Sequence, residues 1–377
     1  MKKVLQVICE PFENGGQELL ICNLYRNIDK TRIIFDFITP YNGLNDKIVD
    51  ELKNYGSKFI GVPINQKKGG LKQRILFFKE LDKFLKKNKY EIIHINSVSI
   101  LGLMLGTIVA HKYKIKNIIV HSHNDGVNTF KYKIIKFISK PFLNNYPTLY
   151  LGCSTNALNW KFSKKVIENK KKLVLKNGID TKKFKYNEDV RNEYRKILGL
   201  NDYFVIGHVG RFEEQKNHEF LIEIFNEFHK TNKDSKLVLV GEGSLVEKII
   251  KKINDFGLSD DVIYLGVRND VEKIMQAFDA FVFPSIFEGL GLAVIEAETS
   301  GVSVVCSDRL PKEVDLTDNI YKLSLDNKES WIKCLNLLKN SNEKDRKKYS
   351  KIIEEKGYNI KSVSESLLEI YLGLEGE

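Results

Sequence analysis

The chain has 377 residues and a formal net charge of +11, set by 60 lysines and arginines against 49 acidic residues. That length exceeds one ordinary core and suits two domains. The five cysteines are odd in number and contain no C-x-x-C pair, which argues against a disulfide framework or a zinc site and for reduced thiols, as in a cytosol.

The N-terminal MKKVLQVICEPFENGG has only a short apolar stretch before Glu10, so it reads as a first strand and not as a cleaved signal. Short β-branched runs at 3–8, 33–39, 91–96, 117–123 and 148–154 read as strands, with helical periodicity at 17–28 and 71–88 between them. The most apolar long segment, 97–110, is shorter than the roughly 20 residues a spanning helix needs. It also contains Gly102 and Gly106. Residues 130–145 alternate Lys131, Lys133, Lys136 and Lys140 with Tyr132, Ile134, Ile135, Phe137, Ile138 and Phe142. A helix there sets a basic flank beside an apolar stripe, suited to weak contact with an anionic membrane; the competing reading is a stripe packed on its own sheet.

Residues 176–190 form a polar stretch with a turn at Asn177–Gly178, and read as the linker. The pattern then restarts, with strands at 203–210, 235–241, 261–266, 279–284 and 302–307 and helices at 219–231 and 245–257. A last amphipathic segment spans 362–374. This alternation predicts an α/β protein with two parallel sheets, helices on both faces of each, and a ligand at the carboxyl ends of the strands. The lysine excess reads as solvated helix faces, and no nucleic acid partner is expected.

Glu288 and Glu296 carry the most information. They flank a turn containing Gly289 and Gly291, between the strand at 279–284 and a helix expected from Leu292 to Thr299 and stopped by Gly301. Unpaired amides near Leu290, Gly291 and Leu292 suit a phosphate, while a carboxylate before the helix and another one turn in can each grip a pair of sugar hydroxyls. The ligand so described is a nucleotide-sugar. HVGRFEEQKN (208–217) adds Arg211 and Lys216 just after a strand, where they can neutralise a diphosphate. The strand ends at 208–217 and 240–244 lack G-x-G-x-x-G, and no D-x-D occurs in the chain. A dinucleotide dehydrogenase and a metal-clamped diphosphate are therefore both disfavoured. His121 and His123 fall on one face by two-residue alternation, with His123 nearer the strand end; His94 and His208 read as structural.

Taken in order, NGG (14–16), NGID (177–180), GRFEEQKN (210–217), GEG (241–243), the two-glutamate segment and SD (307–308) resemble the family 4 retaining glycosyltransferases of GT-B fold. The likeness is greatest to bacterial capsule and exopolysaccharide enzymes, covers the whole chain and is most specific from 176 to 308. It implies two Rossmann-like parallel-sheet domains facing a cleft: an acceptor-binding domain at 1–180, a donor-binding domain at 181–360, and a helix at 361–377 packing back on the first. It also implies that Glu288 holds hydroxyls of the donor sugar, Glu296 the ribose, and Arg211 and Lys216 the diphosphate. Amides at Gly291 and Leu292 are implied as further phosphate donors. The Gly15–Gly16 loop would approach the same diphosphate, and His123 would lie near the reacting centre.

The implied activity is transfer from a nucleotide-sugar, a UDP-sugar on family frequency, to a hydroxyl of a saccharide or lipid-linked acceptor. The anomeric configuration is retained and the leaving phosphate takes the acceptor proton. The donor is a co-substrate; no cofactor and no metal are expected. The expected location is cytoplasmic, peripheral to the inner face of the membrane. The competing functions are an epimerase or phosphorylase on the same architecture, or a nucleotide-sugar-binding protein without turnover. The joint presence of Arg211, Lys216, Glu288 and Glu296 argues against the last.

Overall fold

Each half of the chain is organised by a single parallel sheet. The computed structural model describes residues 1–12, 16–43, 45–63, 71–123, 129–341 and 345–374. Contacts divide the chain into one unit of Met1–Gly178 with Ile360–Glu377 and a second of Ile179–Asn359. The first holds β1 (Lys2–Ile8), β2 (Ile33–Tyr41), β3 (Phe59–Pro63), β4 (Ile92–Ser97), β5 (Asn117–Ser122), β6 (Leu149–Gly152) and β7 (Lys172–Val174). They form a sheet of order β3-β2-β1-β4-β5-β6-β7, parallel throughout, with Val4 opposite both Phe35 and Ile92.

The sequence of β1 explains its central place. Val4 and Ile8 point into one apolar cluster, with Leu20 and Leu24 of the helix Gly16–Asn27 and Leu367 and Tyr371 of the helix Ile360–Gly373. Leu5 and Val7 point into the other, with Phe77 and Leu81 of the helix Leu71–Lys87 and Leu103 of the helix Ile100–Lys112. A strand buried on both faces needs apolar residues at both parities, which is why it reads as a continuous apolar run.

The second unit holds β8 (Phe204–Val209), β9 (Ser235–Val240), β10 (Val262–Tyr264), β11 (Ala280–Phe283), β12 (Ser303–Ser307) and β13 (Ile320–Leu323), in the order β10-β9-β8-β11-β12-β13. Its core joins Ile206, Leu237 and Val282 to Phe225 and Phe228 of the helix His218–Thr231 and Trp331 of the helix Lys328–Lys339. In both sheets the strand order reverses beside the first strand, between β1 and β4 and between β8 and β11. These are the places where parallel α/β sheets open a crevice at their carboxyl ends.

Three strands, β3, β7 and β13, lie outside the runs expected from sequence. All three are at sheet edges, where a half-exposed strand needs no long apolar run; β7 is exposed along its whole length. The segment 97–110 contributes the helix Ile100–Lys112, and among the described residues no helix is long and apolar enough to cross a membrane. The polar stretch at 176–190 contains the helix Thr181–Phe184 and the start of the helix Glu188–Ile197.

The helix Phe130–Asn145 corrects the expectation of a single apolar stripe. Thr129 caps it by accepting from the Tyr132 amide at 3.1 Å. Tyr132, Ile135, Phe142 and Leu143 pack into the first unit's core, while Phe130 (80% exposed), Phe137 (72%) and Ile138 (52%) form a second, open stripe. Lys136 does not belong to the free basic flank, because its ammonium donates to the carbonyls of Trp160 and Asn159.

Candidate active site

Beyond the end of β8, residues 210–217 fold against the turns that follow β9 and β11. Gly210 N donates to Val240 O (3.0 Å) and Phe212 N to Glu242 O (2.9 Å), while Leu245 N returns a bond to Phe212 O (2.9 Å). The two turns press backbone on backbone. A Cβ on Gly241, whose φ is +138°, would stand 2.0 Å from Gly210 O, and one on Gly243 would stand 2.5 Å from Phe212 O. That contact is the physical reason for glycine at both places in GEG.

The same loop is stitched to the end of β11. Gln215 Nε2 donates to Phe287 O (2.9 Å) and Asn217 Nδ2 to Pro284 O (3.2 Å), while Gln215 O accepts from Ile286 N (2.9 Å). Asn217 takes a left-handed conformation, φ 57°, at the head of the helix His218–Thr231. These bonds carry Lys216 to Glu288, Nζ to Oε1 2.5 Å, with the side chains 15% and 8% exposed. The ammonium also sits 4.5 Å from the centroid of the Phe283 ring. Little water reaches this pair, so each charge depends on the other.

Glu288 leads into the helix Leu292–Thr299, capped by Gly291 at φ +92° with no side-chain cap. The amides of Leu292 and Ala293 stand ahead of the first intrahelical acceptors and face the N-terminal end. Glu296 lies one turn further on and is half-buried. Burial pushes its carboxyl up to about 7, with Lys183 pulling it down and Glu272 pushing it up. Lys183, on the helix Thr181–Phe184, pairs with Glu272 at 3.2 Å. Glu298, by contrast, serves the fold. It is fully buried and accepts from Thr317 N (3.0 Å) and Oγ1 (2.8 Å), and burial pushes its carboxyl up to about 8. Arg211 is exposed at the start of the loop. Its charge helps hold down the carboxyl of Glu213, which is lowered chiefly by bonds from Ser244 N (3.0 Å) and Oγ (2.8 Å).

The family described as Glycosyl transferases group 1 matches residues 190–356, inside this second unit. The chain carries a group 1 glycosyl transferase domain. EpsF of Bacillus subtilis (strain 168), assigned by name to the glycosyltransferases, is 27% identical over 377 residues, covering 98% of this chain and 96% of EpsF. The UDP-Gal:alpha-D-GlcNAc-diphosphoundecaprenol alpha-1,3-galactosyltransferase of Escherichia coli is 34% identical over 238 residues, 60% of each chain. Among solved structures, Anabaena HepE in complex with UDP superposes with a TM-score of 0.76 at 16% identity, over 99% of this chain and 100% of HepE. The two parallel-sheet domains are those of the GT-B glycosyltransferase fold.

Of the residues singled out from sequence, the glycosyl transferase domain brings Lys216 and Glu288 into direct contact and sets Gly291, Leu292 and Glu296 along the next helix. Sequence reading gave Lys216 and Glu288 separate roles and missed their pairing, which depends on Gln215 and Asn217 bonding across 72 and 67 residues. It also missed Lys183 and Glu272, in which no motif is visible. In the first unit, Gly15 lies outside the described residues, and Gly16 opens the helix Gly16–Asn27 in an exposed position.

His121 and His123 share a side of the sheet, with ring centroids 4.0 Å apart, and His94 stacks on His121 at 5.3 Å. His121 is fully buried, and its ring nitrogens have no hydrogen-bond partner among the described residues; burial takes it down to about 3. His123 is the half-buried member, and its Nε2 lies 3.0 Å from Asn96 Oδ1. Glu10, at the end of β1, accepts from Ser97 Oγ (2.7 Å) and Val98 N (3.1 Å), ordering the neighbouring strand end.

Proposed function

We propose that this glycosyltransferase moves a sugar from a UDP-sugar to an acceptor hydroxyl, with retention of anomeric configuration and without a metal ion or other cofactor. The observation that carries the reading is the desolvated Lys216–Glu288 pair beside the open amide end of the helix Leu292–Thr299, with Glu296 one turn in. Charge develops on the departing diphosphate, and Lys216, Arg211 and the amides of Gly291 and Leu292 are the groups to take it up. Glu288 holds Lys216 in place through one carboxylate oxygen and offers the other to hydroxyls of the donor sugar. Glu296 accepts from the ribose hydroxyls. The leaving phosphate oxygen takes the acceptor proton on the face it vacates, so no protein nucleophile is needed. We read His123 as a residue of the reacting centre.

The UDP bound in the HepE structure, and the UDP-Gal donor and diphosphoundecaprenol-linked acceptor in the name of the Escherichia coli relative, support a UDP-sugar donor and a lipid-linked or saccharide acceptor. The open stripe of Phe130, Phe137 and Ile138 beside Lys131, Lys133 and Lys140 supports weak peripheral contact with an anionic membrane, at its cytoplasmic face. The test is donor hydrolysis and thermal shift of the full chain across UDP-, GDP-, ADP- and TDP-sugars, with and without EDTA. A bound donor stabilises the fold by mass action. UDP-sugars are expected to lead and chelation to leave the rate unchanged. Activity abolished by EDTA and restored by Mg²⁺ or Mn²⁺ contradicts the metal-free reading. Inversion at the anomeric carbon, read by NMR of the product, contradicts retention.

A further inference from the structure

We infer that Asn96 is a positioning residue that fixes which nitrogen of His123 carries the proton, and that Gln6 and Tyr371 hold Asn96 in that orientation. The consequence for turnover rests on the reading of His123 as a residue of the reacting centre; the proton's position does not.

The sense of the bonds that Asn96 makes follows from one backbone carbonyl. Asn96 Nδ2 lies 3.2 Å from His94 O, which can only accept, so this end of the amide is the nitrogen. The same nitrogen donates to Gln6 Oε1 at 3.0 Å. Asn96 therefore turns Oδ1 to His123, and an amide oxygen can only accept, so the proton of the neutral ring sits on Nε2, 3.0 Å away. Nδ1 is left as a lone pair. Gln6, with its oxygen engaged by Asn96, donates from Nε2 to the Tyr371 hydroxyl at 3.0 Å, and that hydroxyl also lies 2.6 Å from His94 Nδ1.

Gln6, His94, Asn96 and Tyr371 are each at most 1% exposed, so water cannot stand in for a broken link. A flipped Asn96 amide would aim its N–H groups at the His123 N–H and its oxygen at the His94 carbonyl, leaving buried groups unpaired. Burial, with His121, His94 and Lys161 adding to it, holds the His123 ring neutral.

His123 accordingly presents an acceptor at Nδ1. It can receive a hydrogen bond from a substrate hydroxyl and has no proton there to give. This agrees with a reaction in which the leaving phosphate takes the acceptor proton. It also gives the helix Ile360–Gly373 a role beyond packing, since Tyr371 closes the relay from the far end of the chain.

Long-range ¹H–¹⁵N correlation spectra of the full chain, labelled at its seven histidines, read the tautomer directly. Wild type is expected to show His123 with the proton on Nε2. Asn96→Ala is expected to lose that signature and to lower kcat about tenfold, with the donor KM within about twofold. Tyr371→Phe, which keeps the ring in its place, shifts His123 in the same direction with a smaller loss. Asn96→Asp puts a carboxylate on the ring, with His121, His94 and Lys161 as the other titratable neighbours. It raises the His123 pKa, so an acidic limb absent from wild type appears in the kcat–pH profile as Nδ1 becomes protonated.

Wild-type protein with the proton on Nδ1, or Asn96→Ala with both the Nε2–H signature and wild-type kcat, overturns the inference. If the tautomer shifts in Asn96→Ala but His123→Ala turns over like wild type, the relay stands and the placing of His123 at the reacting centre falls.

Discussion

Replacing Glu296 with glutamine separates what this carboxylate takes from the fold and what it gives the ligand. Burial raises its pKa from 4.5 to about 7 in the folded chain. Between those values the unfolded chain has shed the proton and the folded chain has not, so stability falls as pH rises through this window. At 1.36 kcal/mol per unit, the contribution is about 3 kcal/mol, absent below pH 4.5 and complete above pH 7. Glutamine does not titrate. The stability of Glu296→Gln relative to wild type should therefore grow by about 3 kcal/mol between pH 4.5 and pH 8, while Glu298 titrates in both proteins and cancels. Urea unfolding followed at the buried Trp331, in a Trp160→Phe background, reads the second unit by itself. Binding should move the other way. Ribose hydroxyls need an ionised acceptor, so wild-type affinity for a UDP-sugar should fall towards tenfold per unit below about pH 7. The diphosphate diester itself keeps its charge over this range. The glutamine variant should show no such limb and should bind more weakly at pH 8 by about 1.5–3 kcal/mol. Parallel stability profiles for the two proteins, or wild-type affinity in the variant at pH 8, would refute the reasoning.

Lys216→Ala leaves the Glu288 carboxylate buried and unpaired. It should lower the stability of the second unit by about 3–5 kcal/mol and abolish donor turnover, whereas Lys216→Met with Glu288→Leu should regain stability but no activity. A loss below about 1 kcal/mol in the single variant would mean that water reaches the pair. Gly291→Ala forces a side chain into a left-handed conformation and should destabilise by about 1–2 kcal/mol, with a raised donor KM in steady-state assays. Phe130→Ser with Phe137→Ser should remove co-sedimentation with anionic vesicles. Replacing Lys131, Lys133 and Lys140 by glutamine should weaken it by about 1 kcal/mol each, and Lys136→Gln should weaken it less because that ammonium is drawn to the Trp160 carbonyl. Equal recovery on neutral and anionic vesicles would identify an ordinary packing helix.

Much of this protein was legible in local sequence. The central strands β1, β4, β5, β8, β9 and β11 are buried on both faces, and burial on both faces requires the apolar runs that mark them. The turn and helix around Glu288, Gly291 and Glu296 were legible for a related reason: a left-handed cap, a close backbone approach and a helix end each demand a particular residue type at a particular spacing. Edge strands carry a weaker signal, and β3, β7 and β13 became strands only through the neighbours they pair with. The pairing of Lys216 with Glu288, the approach of Lys183 and Glu272 to Glu296, and the relay from Tyr371 to His123 could not be read along the chain. They join residues between 24 and 365 positions apart, and nothing in the local chain specifies such partners. Sequence alone determined the central elements and the chemical groups; each sheet, by bringing its own strand ends together, decided which charges lose their water and which ring nitrogen keeps its lone pair.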